Sequence, residues 1–258
     1  MQDLIVSLVQ TPLYWEDPVA NRGMLEEKIA GIGKTDVIVL PEMFTTSFTN
    51  NAATFAEPDN LHTFKWMKQL SAQTNACIVG SYCVKANGNF YNRLIWMQPD
   101  GKFCTYDKRH SFRMSDEHKV YTAGNKQLVV EYKSWKIAPF ICYDLRFPVW
   151  SRNTNNKYDL AIYVANWPEA RSHAWKSLLP ARAIENISYV IGLNRIGTDG
   201  LGLVYSGDSV VQNFKGVPLA ELHSEEKIET VILSKQSLQE FRESFPAYLD
   251  ADGFELKK

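Results

Sequence analysis

The chain lacks several features that would place it in a special class of protein. Its four cysteines form no CxxC pair, its 28 basic and 29 acidic residues nearly balance, and it has no repeat or low-complexity tract. We therefore expect reduced thiols rather than a disulfide framework. Because Lys and Arg are neither in excess nor clustered in a stripe, nucleic acid is not expected as a partner.

Long hydrophobic runs are also absent. No apolar run approaches the roughly 20 residues of a membrane span, and the first ten residues carry an acidic side chain where a signal peptide carries basic ones. We therefore expect a cytoplasmic protein that does not interact with membranes. No Gly/Ser/Pro linker divides the 258 residues, so we predict one domain over residues 1–258 with an irregular C-terminal tail from about residue 246.

Short runs rich in Val and Ile alternate with segments of helical period, a pattern typical of a layered α/β domain. Helices are predicted near residues 18–31, 61–73, 172–187 and 235–245. The main strands are predicted at residues 4–9, 36–40, 76–84, 91–98, 128–132, 136–143, 160–165, 189–194, 209–214 and 229–233, with another after Gly101. This number of strands indicates two sheets rather than one.

Three apolar strands end in a charged or nucleophilic residue. Glu42 follows the strand at residues 37–40, Lys108 follows the strand after Gly101, and Cys142 ends the run at residues 137–141. Open α/β sheets bind ligands at the carboxyl ends of their strands, and a thiol, a carboxylate and an ammonium together suit acyl transfer. A structural ion pair between Glu42 and Lys108, with Cys142 as an inert core thiol, is the alternative.

Four segments resemble sequence blocks of a known enzyme family. Pro41-Glu42, Lys108-Arg109-His110 and the run from Cys142 to Pro148 are similar to the three signature blocks of the nitrilase superfamily of carbon-nitrogen hydrolases. The cysteine block and the loop from Phe112 to His118 are similar to its omega-amidase branch. The resemblance implies a four-layer α-β-β-α sandwich with two central mixed sheets, and a homodimer or higher homo-oligomer.

The resemblance also implies a catalytic set and a mechanism. Glu42, Lys108 and Cys142 would be the catalytic residues, and Glu117 would be a second glutamate that positions the substrate amide and tunes Lys108. Glu42 would deprotonate Cys142, and the thiolate would attack an amide carbonyl. Lys108 and the backbone N–H of Tyr143 would then hold the oxyanion. After ammonia leaves, water activated by Glu42 would hydrolyse the thioester.

The omega-amidase branch cleaves the terminal amide of short dicarboxylic acid monoamides, of the 2-oxoglutaramate and 2-oxosuccinamate type. A substrate with a free carboxylate needs a cationic anchor, for which Arg113 is the first candidate and Arg171 the second. Phe44, Tyr143 and Trp167 are candidate pocket walls, although aromatic residues beside apolar strands also suit a core. No cofactor is expected, and the Asp116-Glu117-His118 run lacks a second pair of ligands for a metal.

Three other functions fit the sequence. The chain could be another hydrolase of the superfamily, acting on nitriles, N-carbamoyl amino acids or aliphatic amides. It could also be a catalytically silent binding or scaffold protein. In a third alternative, His110 or His118 rather than a carboxylate would activate the thiol, as in Cys-His hydrolases.

Overall fold

The computed structural model describes residues 2–256. Its strands are β1 (Leu4–Gln10), β2 (Val37–Val39), β3 (Glu57–Pro58), β4 (Cys77–Ala86), β5 (Asn89–Met97), β6 (Phe103–Asp107), β7 (Val130–Tyr132), β8 (Trp135–Ile141), β9 (Leu160–Ala165), β10 (Tyr189–Asn194), β11 (Ile196–Thr198), β12 (Val204–Ser206), β13 (Val210–Gln212), β14 (Pro218–Glu221) and β15 (Lys227–Leu233). Its α-helices are α1 (Pro18–Ala30), α2 (Ala52–Phe55), α3 (His62–Thr74), α4 (Glu117–Val120), α5 (Pro148–Ser151), α6 (Ser172–Asn186) and α7 (Lys235–Ser244).

Most strands belong to two large mixed sheets. The first has the order β15-β1-β2-β4-β5-β6, with β3 paired to β4, and the second has the order β14-β13-β10-β9-β8-β7. In the first sheet β1, β2 and β4 are parallel while β15 and β5 are antiparallel to their neighbours. In the second, β8, β9 and β10 are parallel and β7 and β13 are antiparallel. The expectation of two mixed sheets is confirmed.

The two sheets pack against each other through one buried cluster. Alternation along β1 places Leu4, Val6 and Leu8 in this cluster, which also contains the strands of the second sheet. Contacts of β1 with β10 and of β5 with β8 cross the space between the sheets. The apolar core therefore lies between two β-layers, as in a sandwich.

Helices cover the outer face of each sheet. Leu25 of α1 and Met67 of α3 pack in a second buried cluster with Ile78 of β4. On the other side α6 contacts β10 so closely that a Cβ at Gly192 would lie 2.4 Å from Cδ1 of Leu179, and only glycine allows this approach. The layers follow the order α-β-β-α, and the predicted fold class is confirmed.

Several elements differ from the prediction. The short strands β3, β11, β12 and β14 were missed, because two to four residues are too few to show an alternating pattern. The strand predicted to reach residue 143 ends at Ile141, because Cys142 has a φ of 44° and begins a 3₁₀ turn. A 3₁₀ turn at Ala247–Asp250 lies within the tail that was predicted to be irregular.

No helix within residues 2–256 is both long enough and apolar enough to cross a membrane. The single-domain organisation, the cytoplasmic location and the homo-oligomeric assembly stay predictions.

Candidate active site

The topology brings the predicted strand ends to one edge of the sandwich. Strand β6 is antiparallel to β5, which is antiparallel to β4, which is parallel to β2. The carboxyl ends of β2 and β6 therefore point the same way, and Glu42 and Lys108 follow them. Cys142 follows β8 of the facing sheet and lines the same cavity as these two residues. Carboxyl strand ends are the common place for ligand sites in α/β sheets.

A buried ammonium of this cavity joins two buried carboxylates, those of Glu42 and Glu117. Lys108 Nζ lies 2.8 Å from Glu42 Oε1 and 2.9 Å and 3.1 Å from the two carboxylate oxygens of Glu117. All three side chains are almost completely buried. Such charges are stable in a protein interior only when they are paired and hydrogen-bonded.

Two asparagines fix the orientation of the Glu42 carboxylate. Asn92 Nδ2 donates to Oε1 at 2.8 Å, and the backbone N–H of Asn166 donates to Oε2 at 2.7 Å. Asn166 Nδ2 also donates to the backbone carbonyl of Glu42 at 2.6 Å. Neither asparagine was predicted to be a site residue. The available signal for Asn92 was a polar residue inside the apolar strand β5.

Cys142 lies beside this carboxylate in a strained backbone conformation. Its φ of 44° is unusual for a residue other than glycine, and strain of this kind collects at functional sites. The sulfur lies 3.8 Å from the carbonyl oxygen of Asn166. Burial, followed by the negative charge of Glu42, raises the pKa of the Cys142 thiol well above its usual value, although Lys108 opposes the shift. The resting thiol therefore keeps its proton and needs a base before it can attack.

The same buried contacts shift the pKa values of Lys108 and Glu117. Burial alone would lower the pKa of Lys108, but the neighbouring carboxylates of Glu117 and Glu42 outweigh it and raise that pKa well above its usual value. Burial raises the pKa of Glu117, with Lys108 acting in the opposite direction. Lys108 therefore stays a cation in the neutral pH range.

In the loop after β6, Glu117 and the adjacent Asp116 lie in different surroundings. Glu117 is buried and also accepts a 2.6 Å hydrogen bond from the backbone N–H of Phe112, whose ring lines the cavity. Asp116 is exposed and pairs with Lys119 at 3.0 Å. Glu117 is thus the acidic residue of this loop that reaches Lys108, and it ties the cavity wall to the charged cluster.

A buried carboxylate holds the turn that carries Cys142. Asp144 Oδ2 accepts hydrogen bonds from the Tyr106 hydroxyl at 2.6 Å and from the backbone N–H of Ile141 at 3.1 Å. Asp144 Oδ1 accepts the backbone N–H of His110 at 3.0 Å and lies 2.7 Å from its Nδ1. These contacts connect the strained turn to β6 and to the residues after Lys108.

We expect Asp144→Asn to lower kcat by about 100-fold with little change in KM, because it loosens the turn that positions the sulfur. An amide offers one accepting oxygen where the carboxylate offers two, so a buried donor loses its partner, at a cost of about 1–3 kcal/mol. Steady-state kinetics combined with urea denaturation checks both effects. A KM effect without a kcat effect would contradict the positioning role.

The cavity wall contains two of the predicted aromatic residues but not the third. Tyr143 and Trp167 line the cavity. Phe44 does not, since its ring is fully buried in the outer core, 5.7 Å from the ring of Trp66 and 6.3 Å from that of Tyr82. The prediction that Phe44 forms a pocket wall is corrected by this placement.

The first candidate for the carboxylate anchor also lies elsewhere. Arg113 is exposed on a 3₁₀ turn and does not line the cavity, whereas Arg171 and Arg146 do. His110 and His118 do not line the cavity either. His110 stacks on the Phe147 ring at 3.8 Å and faces Asp144, and His118 is exposed. The candidate base beside the thiol is therefore a carboxylate and not an imidazole.

No group of three or more His, Cys, Asp or Glu side chains within residues 2–256 is arranged to hold a metal ion.

A model of the carbon-nitrogen hydrolase family matches residues 5–243. This chain belongs to the carbon-nitrogen hydrolase family.

Relatives that align over almost their whole length identify the branch of the family to which the chain belongs. The omega-amidase YafV of Escherichia coli strain K12 is 48% identical over 260 residues, covering 99% of this chain and 100% of that protein. The 2-oxoglutaramate amidase of Bacillus subtilis strain 168 is 34% identical over 250 residues, covering 95% and 96%. The resemblance to the omega-amidase branch of the nitrilase superfamily is confirmed, and the chain is a hydrolase of carbon-nitrogen bonds.

A solved structure of the same superfamily has nearly the same fold as this carbon-nitrogen hydrolase. XC1258 from Xanthomonas campestris, a CN-hydrolase superfamily protein crystallised with an arsenic adduct in its active site, superposes with a TM-score of 0.96. It is 45% identical, and the match covers 100% of both chains.

Proposed function

We propose that this enzyme hydrolyses the terminal amide of short dicarboxylic acid monoamides, of the 2-oxoglutaramate and 2-oxosuccinamate type, through a thioester on Cys142. The observation that carries the proposal is the buried cluster in which Lys108 joins Glu42 to Glu117 beside a strained, protonated thiol. The amidase names of relatives at 48% and 34% identity support the substrate class.

Acylation begins with transfer of the thiol proton from Cys142 to Glu42. The thiolate attacks the amide carbonyl carbon, and the oxyanion is stabilised by the Lys108 ammonium and the backbone N–H of Tyr143. When the C–N bond breaks, the nitrogen takes the proton from Glu42 and leaves as ammonia. Glu117 keeps Lys108 in place, because its two oxygens lie 2.9 Å and 3.1 Å from the ammonium.

Deacylation uses the same groups in a second cycle. Glu42, again a carboxylate, takes a proton from water, and the resulting hydroxide attacks the thioester carbonyl. The C–S bond breaks, the dicarboxylic acid leaves, and the proton on Glu42 returns to the Cys142 sulfur. A fixed carboxylate orientation suits both half-reactions, and the hydrogen bonds from Asn92 and from the Asn166 backbone provide it.

Ammonia release from four substrates tests the proposed class. The wild-type enzyme and a Cys142→Ala control are assayed with 2-oxoglutaramate, an aliphatic nitrile, an N-carbamoyl amino acid and a simple aliphatic amide. We expect the highest kcat/KM with 2-oxoglutaramate and turnover at least about 10⁴-fold lower in the variant. Turnover of the nitrile or the carbamoyl compound without turnover of 2-oxoglutaramate would overturn the proposal, and so would failure on every substrate.

A further inference from the structure

One buried arginine lies next to the site without lining the cavity. Arg195 follows β10 and is fully buried. Burial lowers the pKa of its guanidinium, yet an arginine side chain stays charged in a protein. A buried charge is costly unless it is paired. Within residues 2–256, however, this guanidinium donates to backbone carbonyls and a hydroxyl and not to a carboxylate, so no ion pair offsets the cost.

Two acceptors of Arg195 follow strands of the facing sheet. Its Nη2 donates to the backbone carbonyl of Leu13 at 3.3 Å, and its Nη1 donates to the Ser47 hydroxyl. Leu13 follows β1, and Ser47 lies in the segment after β2 that also carries Glu42, whereas β10 belongs to the second sheet. The guanidinium therefore ties the two sheets together at the edge where Glu42 of the first sheet meets Cys142 of the second.

Ser47 connects this guanidinium to Asn166. Because a guanidinium has donors only, the Ser47 oxygen accepts from Arg195 and the hydroxyl proton is left for another acceptor. That acceptor is Oδ1 of Asn166, which lies 3.4 Å from the Ser47 oxygen. On the other side of the amide, Nδ2 of Asn166 donates to the backbone carbonyl of Glu42 at 2.6 Å. The two contacts hold the Asn166 amide in one orientation.

Asn166 contacts both reacting groups of the site. Its backbone N–H donates to Oε2 of Glu42 at 2.7 Å, and its carbonyl oxygen lies 3.8 Å from the Cys142 sulfur. A flipped side-chain amide would place Oδ1 against the Glu42 carbonyl oxygen, where two acceptors repel each other. An Asn166 held in one orientation therefore fixes the base relative to the thiol, and catalysis is sensitive to displacements of about 1 Å in such geometry.

Arg195 also contacts the wall of the cavity. Its Cζ lies 4.7 Å from the centre of the Tyr205 ring, which lines the cavity, and the Tyr205 hydroxyl donates to the buried Asp199 at 2.8 Å. A substitution of Arg195 therefore disturbs the wall as well as Asn166. Ser47 does not line the cavity, so a substitution of Ser47 breaks the connection to Asn166 and leaves the wall unchanged.

We propose that Arg195 and Ser47 are positioning residues that act through Asn166 and hold the Glu42 carboxylate in place beside the Cys142 thiol. The inference rests on the proposed function, in which Glu42 is the base. It also gives a reason for the buried cation, because a planar group with five N–H donors can bind Ser47 and the backbone carbonyls of both sheets at the same time.

Ser47→Gly is the variant that tests the connection most cleanly. It removes the hydroxyl, while the φ of 62° at Ser47 is a conformation that suits glycine. We expect kcat for succinamate, a monoamide of the proposed class, to fall about 10- to 100-fold, with little change in KM because the cavity wall is intact. The matched control is Ser134→Gly. Ser134 has a φ of 67° and is exposed in the turn between β7 and β8, so this variant should keep the wild-type kcat.

A double-mutant cycle with Arg195→Lys tests whether the two residues act as one unit. Lysine keeps the charge but lacks the planar fork, so kcat should fall in this variant too. If both residues act through Asn166, adding Ser47→Gly to Arg195→Lys should leave kcat about where the lysine variant has it. Arg242→Lys is the control for the loss of a buried guanidinium, because Arg242 binds Asp159 and does not line the cavity. It should lower the urea midpoint without lowering kcat.

The outcomes separate this inference from the proposed function. A wild-type kcat in Ser47→Gly, or a double variant whose loss is the product of the two single losses, overturns the positioning role and leaves the proposed function intact. If Arg195→Lys does not fold, the comparison of Ser47→Gly with Ser134→Gly decides alone. A wild-type enzyme that turns over a nitrile or a carbamoyl compound but not succinamate contradicts the proposed substrate class, and the positioning role is then measured with that compound. Failure on every substrate overturns both.

Discussion

Replacing Cys142 with alanine is expected to lower amide turnover by about 10⁴-fold or more, because the variant has no atom that can form the acyl intermediate. The site keeps its other groups in this variant, since the Glu42, Lys108 and Glu117 contacts do not involve the sulfur. KM for the residual reaction should change little. Ammonia release under saturating substrate measures the effect.

Cys104→Ala is the matched control for this substitution. Cys104 lies in β6, is only half-buried, and does not line the cavity. Its removal deletes a thiol from the same chain without touching the charged cluster, so kcat/KM should stay close to the wild-type value. If activity survives in Cys142→Ala, or is lost in Cys104→Ala, the assignment of Cys142 as the nucleophile is wrong.

Glu42→Gln is expected to lower kcat by about 10²- to 10⁴-fold, the usual contribution of a general base and acid. The substitution keeps the shape of the side chain but removes the group that takes the thiol proton. It also creates a mismatch, because both carboxylate oxygens of Glu42 accept hydrogen bonds and an amide nitrogen cannot do so. Burial, the largest cause of the raised pKa of the Cys142 thiol, remains in the variant although the charge of Glu42 is removed, so the thiol still needs a base.

Steady-state kinetics and urea denaturation separate the catalytic loss from a loss of stability in Glu42→Gln. The control is Glu229→Gln, which removes a carboxylate from the surface pair with Lys227. Surface pairs of this kind contribute little to stability, so this variant should behave as wild type. A Glu42→Gln enzyme whose kcat stays within about tenfold of wild type would require another base.

The sequence predicted those parts of the site that depend on strand ends. Glu42, Lys108 and Cys142 each come directly after a predicted strand, and the strands β2, β6 and β8 bring these positions to one cavity. Glu117 was assigned through the family resemblance, and burial distinguishes it from the exposed Asp116. The positions of Glu42, Lys108 and Cys142 were predictable because each comes directly after a predicted strand, whereas their catalytic roles were predicted from the family resemblance.

Other parts depend on backbone geometry that residue patterns do not show. Met43 has a φ of 43°, which turns the chain after Glu42 and directs Phe44 into the outer core instead of the cavity. Asn92 reaches Glu42 only because β5 pairs with both β4 and β6.

The most direct test of the account is the partition of the acyl group between water and hydroxylamine. The enzyme is given succinamate or the corresponding monomethyl ester, and the ratio of hydroxamate to succinate is measured at several hydroxylamine concentrations. A common thioester on Cys142 predicts the same ratio from both substrates, because ammonia or methanol has left before partition. Ratios that differ between the two substrates, or hydroxamate formation that persists in Cys142→Ala, would contradict the thioester mechanism.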